Sequence, residues 1–182
     1  MPFAPTHILI PLLAVAIFRD FYLLKNDRRK FPLHYVLIAG LAGTLPDWDV
    51  AIFWLLSLLK VNVGFWDIHK TYLHSFIVPL FFLLLFFILH PVRNPTLGRH
   101  KLTLSKCSLM IAIGSLSHLL LDLTFGEPFS PFLPFHTGAI GYSFFSLLPE
   151  PLQGIFYPTL DAALLIIYIT YLEVKHKISD FI

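Results

Sequence analysis

Phe76-Ile77-Val78-Pro79-Leu80-Phe81-Phe82-Leu83-Leu84-Leu85-Phe86-Phe87-Ile88-Leu89 carries no polar side chain. A surface helix of a soluble domain needs a polar face, and this run offers none. A helix in lipid needs roughly 20 mostly apolar residues. Extended back to Tyr72, the run predicts a membrane span over residues 72–89. Four further stretches qualify, over residues 7–24, 33–59, 104–123 and 154–172.

Composition agrees with that assignment. Of 182 residues, 57% are apolar and only 13% are charged, about half the ~25% of a soluble domain. Mean hydropathy is +0.75. A net charge of +2, with no basic block interleaved with aromatics, excludes a nucleic-acid binder. The single cysteine, Cys107, excludes an intrachain disulfide and cysteine-rich zinc motifs. The expectation is one integral-membrane domain over residues 1–182, an all-α polytopic bundle of about five spans.

Span two contains Leu45-Pro46-Asp47-Trp48-Asp49. Pro46 removes a backbone donor and disfavours helix at Leu45. A kink or break is expected there, with the segment after Val50 either finishing the span or lying in the interface. The stretch 124–153 holds five of the 14 prolines and six of the 19 phenylalanines. It reads as a Pro/Phe-rich extracytoplasmic cap on the outer leaflet.

Orientation follows from Lys and Arg. Lys25, Arg28, Arg29, Lys30, Arg93, Arg99, Lys101, Lys106, Lys175 and Lys177 all fall on one side, which marks the cytoplasm. Only Lys60 and Lys70 fall opposite, and Arg19 lies within span one. The cell membrane is therefore crossed with the N-terminus outside and the C-terminus cytoplasmic. Trp48, Trp54 and Trp66 then form an outer aromatic belt.

Ionisable residues inside spans are costly and mark function by default. His7 opens span one, Asp47 and Asp49 interrupt span two, His69 and His74 flank the start of span three, and His118 and Asp122 close span four. With the spans oriented as above, all seven approach the outer face. His118 and Asp122 stand one turn apart on one helix face. Each feature has a plainer reading: an interfacial His7, a structural His118–Asp122 hydrogen bond, helix caps at Asp47 and Asp49. Their joint placement favours a metal site. Four imidazoles and three carboxylates without a thiol suit Zn²⁺, with Mn²⁺ or Fe²⁺ as alternatives, and are too nitrogen-rich for Ca²⁺. Seven donors exceed one tetrahedral ion, so two ions are expected, in a hydrolytic site. Lys70 is the candidate catalytic cation, offsetting charge on a phosphoryl group. His34, His90, His100 and His176 are expected to be solvated, His136 to sit in the cap, and Asp161 to pair with a polar group of a neighbouring span.

Thr6-His7, Leu45-Pro46-Asp47-Trp48-Asp49, His69-Lys70-Thr71-Tyr72-Leu73-His74-Ser75 and Ser117-His118-Leu119-Leu120-Leu121-Asp122 occur in the order seen in the YdjM-like membrane-bound metal-dependent hydrolases. The resemblance covers roughly residues 5–135, including Thr124-Phe125-Gly126. That family is similar, distantly, to zinc-dependent phospholipases C and single-strand nucleases. The resemblance implies that the seven residues are metal ligands or their immediate partners. The chain departs from the family pattern at Lys70, where Arg is usual, and at Leu73, where Thr is usual.

The function expected is a hydrolase at the outer membrane face. It would use a two-metal activated water on a phosphate ester such as a membrane lipid or lipid-linked one. Alternatives are a non-catalytic metal-stabilised scaffold or adaptor and, less favoured, a metal transporter. Against transport, span three has no polar group between Phe76 and Leu89.

Overall fold

The computed structural model describes residues 3–23, 31–92, 96–97 and 102–176. Among the described residues, seven α-helices run in order: α1 (Ala4–Leu23), α2 (Leu33–Ala42), α3 (Trp48–Leu58), α4 (Phe65–Ile68), α5 (Ile77–Leu89), α6 (Leu104–Phe125) and α7 (Glu150–His176). A 3-10 turn at Tyr72–His74 precedes α5, and β1 (Thr96–Leu97) pairs antiparallel with β2 (Leu102–Thr103). Most of the basic residues that set the expected orientation, namely Lys25, Arg28, Arg29, Lys30, Arg93, Arg99, Lys101 and Lys177, lie outside the described residues, as does His100.

Among the described residues, α1, α6 and α7 are long and apolar enough to cross a membrane. The other two expected spans come out shorter. Residues 33–59 divide into α2, with 10 residues, and α3, with 11. The cause is local: Pro46 has no N–H, and the ladder tightens into successive three-residue turns. Thr44 N–H donates to Leu41 O, Asp47 N–H to Thr44 O and Trp48 N–H to Leu45 O. Residues 72–89 yield a helix only from Ile77, 13 residues long. At ~1.5 Å per residue, α2 and α5 reach roughly 15–20 Å, short of the ~30 Å hydrocarbon core.

α1 and α7 run in the same direction. Thr6 of α1 hydrogen-bonds Asp161 of α7 at one end, and Tyr171 OH donates to Asp20 Oδ2 at the other, 2.9 Å away. Asp161 thus pairs as expected. A core of Leu12, Val15, Ala16, Tyr35, Val36, Ala39, Cys107 and Met110 binds α1, α2 and α6. Lipid gives helices no hydrophobic reason to associate, so close backbone packing and polar ties must do it. Gly114 provides the packing: a Cβ there would lie 2.3 Å from Ala39 O. Gly43 provides it a second time, where a Cβ would lie 2.0 Å from His7 O. Pro11 has no N–H to offer that carbonyl, so Gly43 can back directly onto it.

Beyond α6 the chain doubles back. Phe129 and Ile140 exchange backbone hydrogen bonds, Tyr142 N–H donates to Leu123 O and Phe76 N–H to Pro131 O. These bonds hold the proline-rich segment against the end of α6 and the start of α5, with Phe129 buried.

Candidate metal centre

Four element ends meet at one level of the bundle: the first turn of α1 (His7), the α2–α3 break (Asp47, Asp49), the segment entering α5 (His69, His74) and the last turns of α6 (His118, Asp122). The seven residues singled out in the sequence form one connected cluster there. His7 Nε2 lies 3.5 Å from Asp122 Oδ1. His74 Nε2 lies 3.5 Å from Asp47 Oδ1 and 3.8 Å from Asp122 Oδ2. His118 Nε2 lies 3.6 Å from Asp47 Oδ1 and 3.8 Å from Asp122 Oδ2. The rings of His7 and His118 stack at 3.8 Å.

Around this inner set is an outer ring of fixed acceptors. Gly43 O accepts from His118 Nδ1 at 2.7 Å. A carbonyl oxygen can only accept, so Nδ1 carries the proton and Nε2 faces the cluster. Asp49 Oδ1 accepts from His69 Nδ1 at 3.0 Å, leaving Nε2 as that ring's free nitrogen. Asp49 Oδ2 accepts from Lys70 N–H at 3.0 Å and lies 3.0 Å from His74 Nδ1, off the line of a good hydrogen bond. Both oxygens of Asp49 are therefore engaged with neighbours. Asp47 heads α3 without capping it, its carboxylate turned into the cluster instead.

The inner atoms lack such partners. His7 Nδ1 and Nε2, Asp47 Oδ1 and both carboxylate oxygens of Asp122 are buried and make no hydrogen bond among the described residues. Leaving a buried polar group unpaired costs ~1–3 kcal/mol, more when it is charged. Several such atoms converging on one space fit a cation. Three groups each offer ligand atoms within 4.8 Å of one another: His7, Asp47 and His118; Asp47, His69 and His74; His74, His118 and Asp122. Asp47 belongs to the first two of these.

Access is limited. His7, His74, His118 and Asp122 have no exposed surface, and Asp49 and His69 are buried. Asp47 has 21% of its side chain exposed and is the cluster's contact with the outside. Lys70 adopts the left-handed region at φ 59° and sets its ammonium beside Glu127. Its Nζ lies 3.4 Å from Glu127 O and 3.8 Å from Glu127 Oε2. His90 and His136 are exposed and His34 half-buried, none of them in the cluster. Sequence reasoning passed over Gly43, whose carbonyl fixes His118, and Glu127, which holds Lys70. Gly43 carried a signal: with Gly40 it gives α2 a small face that backs onto α1, Gly40 against Leu12 and Gly43 against His7.

No curated protein and no solved structure matched the chain. The model of the YdjM inner membrane protein family matches residues 1–177, almost the whole chain. The YdjM likeness read from four short motifs thus holds over residues 1–177. The chain belongs to the YdjM inner membrane protein family.

Proposed function

We propose that the chain is a membrane-embedded, metal-dependent hydrolase of phosphate esters, taking a lipid or lipid-linked substrate at the outer membrane face. The observation that carries this reading is the convergence of unpaired carboxylate oxygens and imidazole nitrogens in one buried space. Zn²⁺ suits that nitrogen-and-carboxylate set, with Mn²⁺ or Fe²⁺ as alternatives. The three overlapping groups leave room for two ions, with Asp47, His74 and His118 each shared by two of the groups.

Paired divalent ions supply Lewis acidity and an acidified water for attack at phosphorus. The chain's own residues do the rest. Gly43 O and Asp49 fix the rings of His118 and His69 through their Nδ1 atoms and leave Nε2 as the donor, the usual role of outer partners around a metal. Asp47, the partly exposed member, is where a substrate oxygen meets the cluster. The Lys70 ammonium is held only at 3.4 and 3.8 Å, by a residue whose own side chain is exposed. It is free to turn toward an anionic ester and offset its charge.

The depth of burial favours one second reading, a metal-stabilised scaffold without turnover, because catalysis needs an exchangeable position. One experiment separates the two. Metal content of the purified protein is measured beside hydrolysis of lipid phosphoesters, for wild type, His118→Ala and Asp122→Ala. Metal and turnover lost together support the hydrolase, and metal without turnover supports the scaffold. Metal-free wild type would mean that a protonated imidazole fills the cation's role, and would end both readings. The proposed orientation is tested by labelling Arg28→Cys in intact cells in a Cys107→Ser background. Labelling from outside would overturn it.

A further inference from the structure

Asp49 and His69 lie 3.0 Å apart, 20 residues from one another in sequence. The chain between them leaves the cluster along α3 and returns through α4. This excursion packs mainly against itself. Phe53 meets Phe65 edge-on at 5.3 Å, and Phe65 lies 5.1 Å from Trp66 and 4.8 Å from His69. Among the described residues of α3, only Asp49 is buried. Most of the large exposed side chains are apolar, Trp48, Ile52, Trp54, Leu55, Leu58 and Trp66 among them, with the three tryptophans at 63–64%, while Ser57, Lys60, Asn62 and Asp67 are the exposed polar ones.

We infer that this hairpin inserts into one leaflet of the bilayer and rests its apolar faces on lipid, holding the cluster at headgroup depth. Three observations carry the inference. First, α3 measures ~16 Å at ~1.5 Å per residue, too short to cross the ~30 Å core, and the hairpin returns to its starting level. Second, the exposed side chains occupy two stripes of α3, one through Trp48, Ile52 and Leu55, the other through Trp54 and Leu58. A neighbouring helix covers one stripe, whereas lipid covers both. Third, helix partners in membranes meet through small residues, and of the exposed residues of α3 only Ala51 and Ser57 are small, the other five being Trp, Ile or Leu. Tryptophan in particular settles at the headgroup boundary. The hairpin's root is Trp48, next to Asp47, so a lipid lying along α3 brings its headgroup to the exposed side of the cluster.

That last step rests on the proposed hydrolase, but the insertion does not, and the test reads insertion alone. The chain has three tryptophans, and all lie in or beside the hairpin. The intact protein is reconstituted in phosphatidylcholine vesicles whose acyl chains carry bromine near the glycerol end or near the methyl end. Interfacial tryptophans should lose about half or more of their emission to the glycerol-end bromine and less to the methyl-end bromine. Emission unchanged by both would place the hairpin against a second protein or in water. Stronger quenching by the methyl-end bromine would place it in the bilayer centre. Each result would overturn the inference without bearing on turnover.

Discussion

His74 Nε2 and His118 Nε2 face each other at 3.3 Å in a space closed to solvent. Gly43 O keeps the His118 proton on Nδ1, so His118 presents a lone pair. Asp49 Oδ2 sits beside Nδ1 of His74 and favours the same tautomer there. Two lone pairs opposed at that distance, with Asp47 and Asp122 close by, repel unless a positive charge lies among them. A bound metal ion, as proposed above, would supply that charge; a proton on one ring, donated across the 3.3 Å contact, is the other source.

The overlap of the candidate groups makes Asp47 and Asp49 distinguishable. Asp47 is common to two groups, so Asp47→Ala should remove most bound metal, as measured by elemental analysis of purified protein. Asp49 spends both oxygens on Lys70 N–H and on neighbouring imidazoles. Asp49→Asn should therefore keep the metal stoichiometry while affinity falls ~10–100-fold, as for other outer partners. A drop in stoichiometry in Asp49→Asn would make Asp49 a ligand.

This division was not legible in the sequence. The convergence of the seven residues was, because each stands at the end of an apolar run and the runs alternate in direction. Family membership was legible for the same reason, through four motifs placed at those ends. What each carboxylate does depends on the angle at which the backbone leaves Pro46, and spacing alone does not encode that angle. The fold shows the same limit. Apolar runs located the long helices and Pro46 marked the break between α2 and α3, but run length overstated α5, since hydropathy does not register the 3-10 turn before Ile77.

Gly43 and Gly154 offer a paired test of packing. A Cβ at Gly43 meets His7 O at 2.0 Å, whereas one at Gly154 meets nothing within 4 Å. Gly43→Ala should lose ~1–3 kcal/mol of stability by forcing α1 and α2 apart, and should weaken metal binding as His7 moves. Gly154→Ala, inside α7, should be neutral or gain up to ~1 kcal/mol from helix propensity. Thermal unfolding in one detergent compares them. Equal melting temperatures would show that the close approach of Gly43 to His7 is not structural.

Asp161 is a carboxylate of α7 outside the cluster. It accepts from Thr6 Oγ1, beside His7, and ties α7 to α1. Asp161→Asn keeps an acceptor for that hydroxyl, so metal content and melting should match wild type. Asp161→Leu removes the bond at a cost of about 0.6 kcal/mol, the average for interhelical hydrogen bonds in membranes. Loss of metal in Asp161→Asn would place this residue in the cluster's support.

Lys70 contributes a backbone N–H and an ammonium, and glycine separates the two. Its φ of 59° suits glycine, and the N–H donated to Asp49 survives the change. Lys70→Gly should fold and keep its metal, while lipid phosphoester turnover falls ~10²-fold, the scale for losing one charge-stabilising donor. Lys70→Arg, which restores the residue usual in the family, should retain most of the activity. Unchanged turnover in Lys70→Gly would restrict Lys70 to its structural contact with Glu127.

Trp48 adjoins the exposed edge of Asp47 and opens the hairpin that we infer lies in lipid. If substrate arrives along that surface, its acyl chains meet Trp48 before its phosphate meets the cluster. Trp48→Ser keeps the backbone and removes the apolar ring without touching the inner donors. For a long-chain lipid phosphoester, kcat/KM should fall ~10-fold or more, the size expected from losing ~1.5–3 kcal/mol of apolar contact. For a short-chain soluble ester of the same headgroup it should stay near wild type. That contrast separates a lateral route from direct entry out of water. An equal fall for both substrates would mean that Trp48 shapes the cluster itself. No fall for either would mean that the ester reaches Asp47 from the aqueous side.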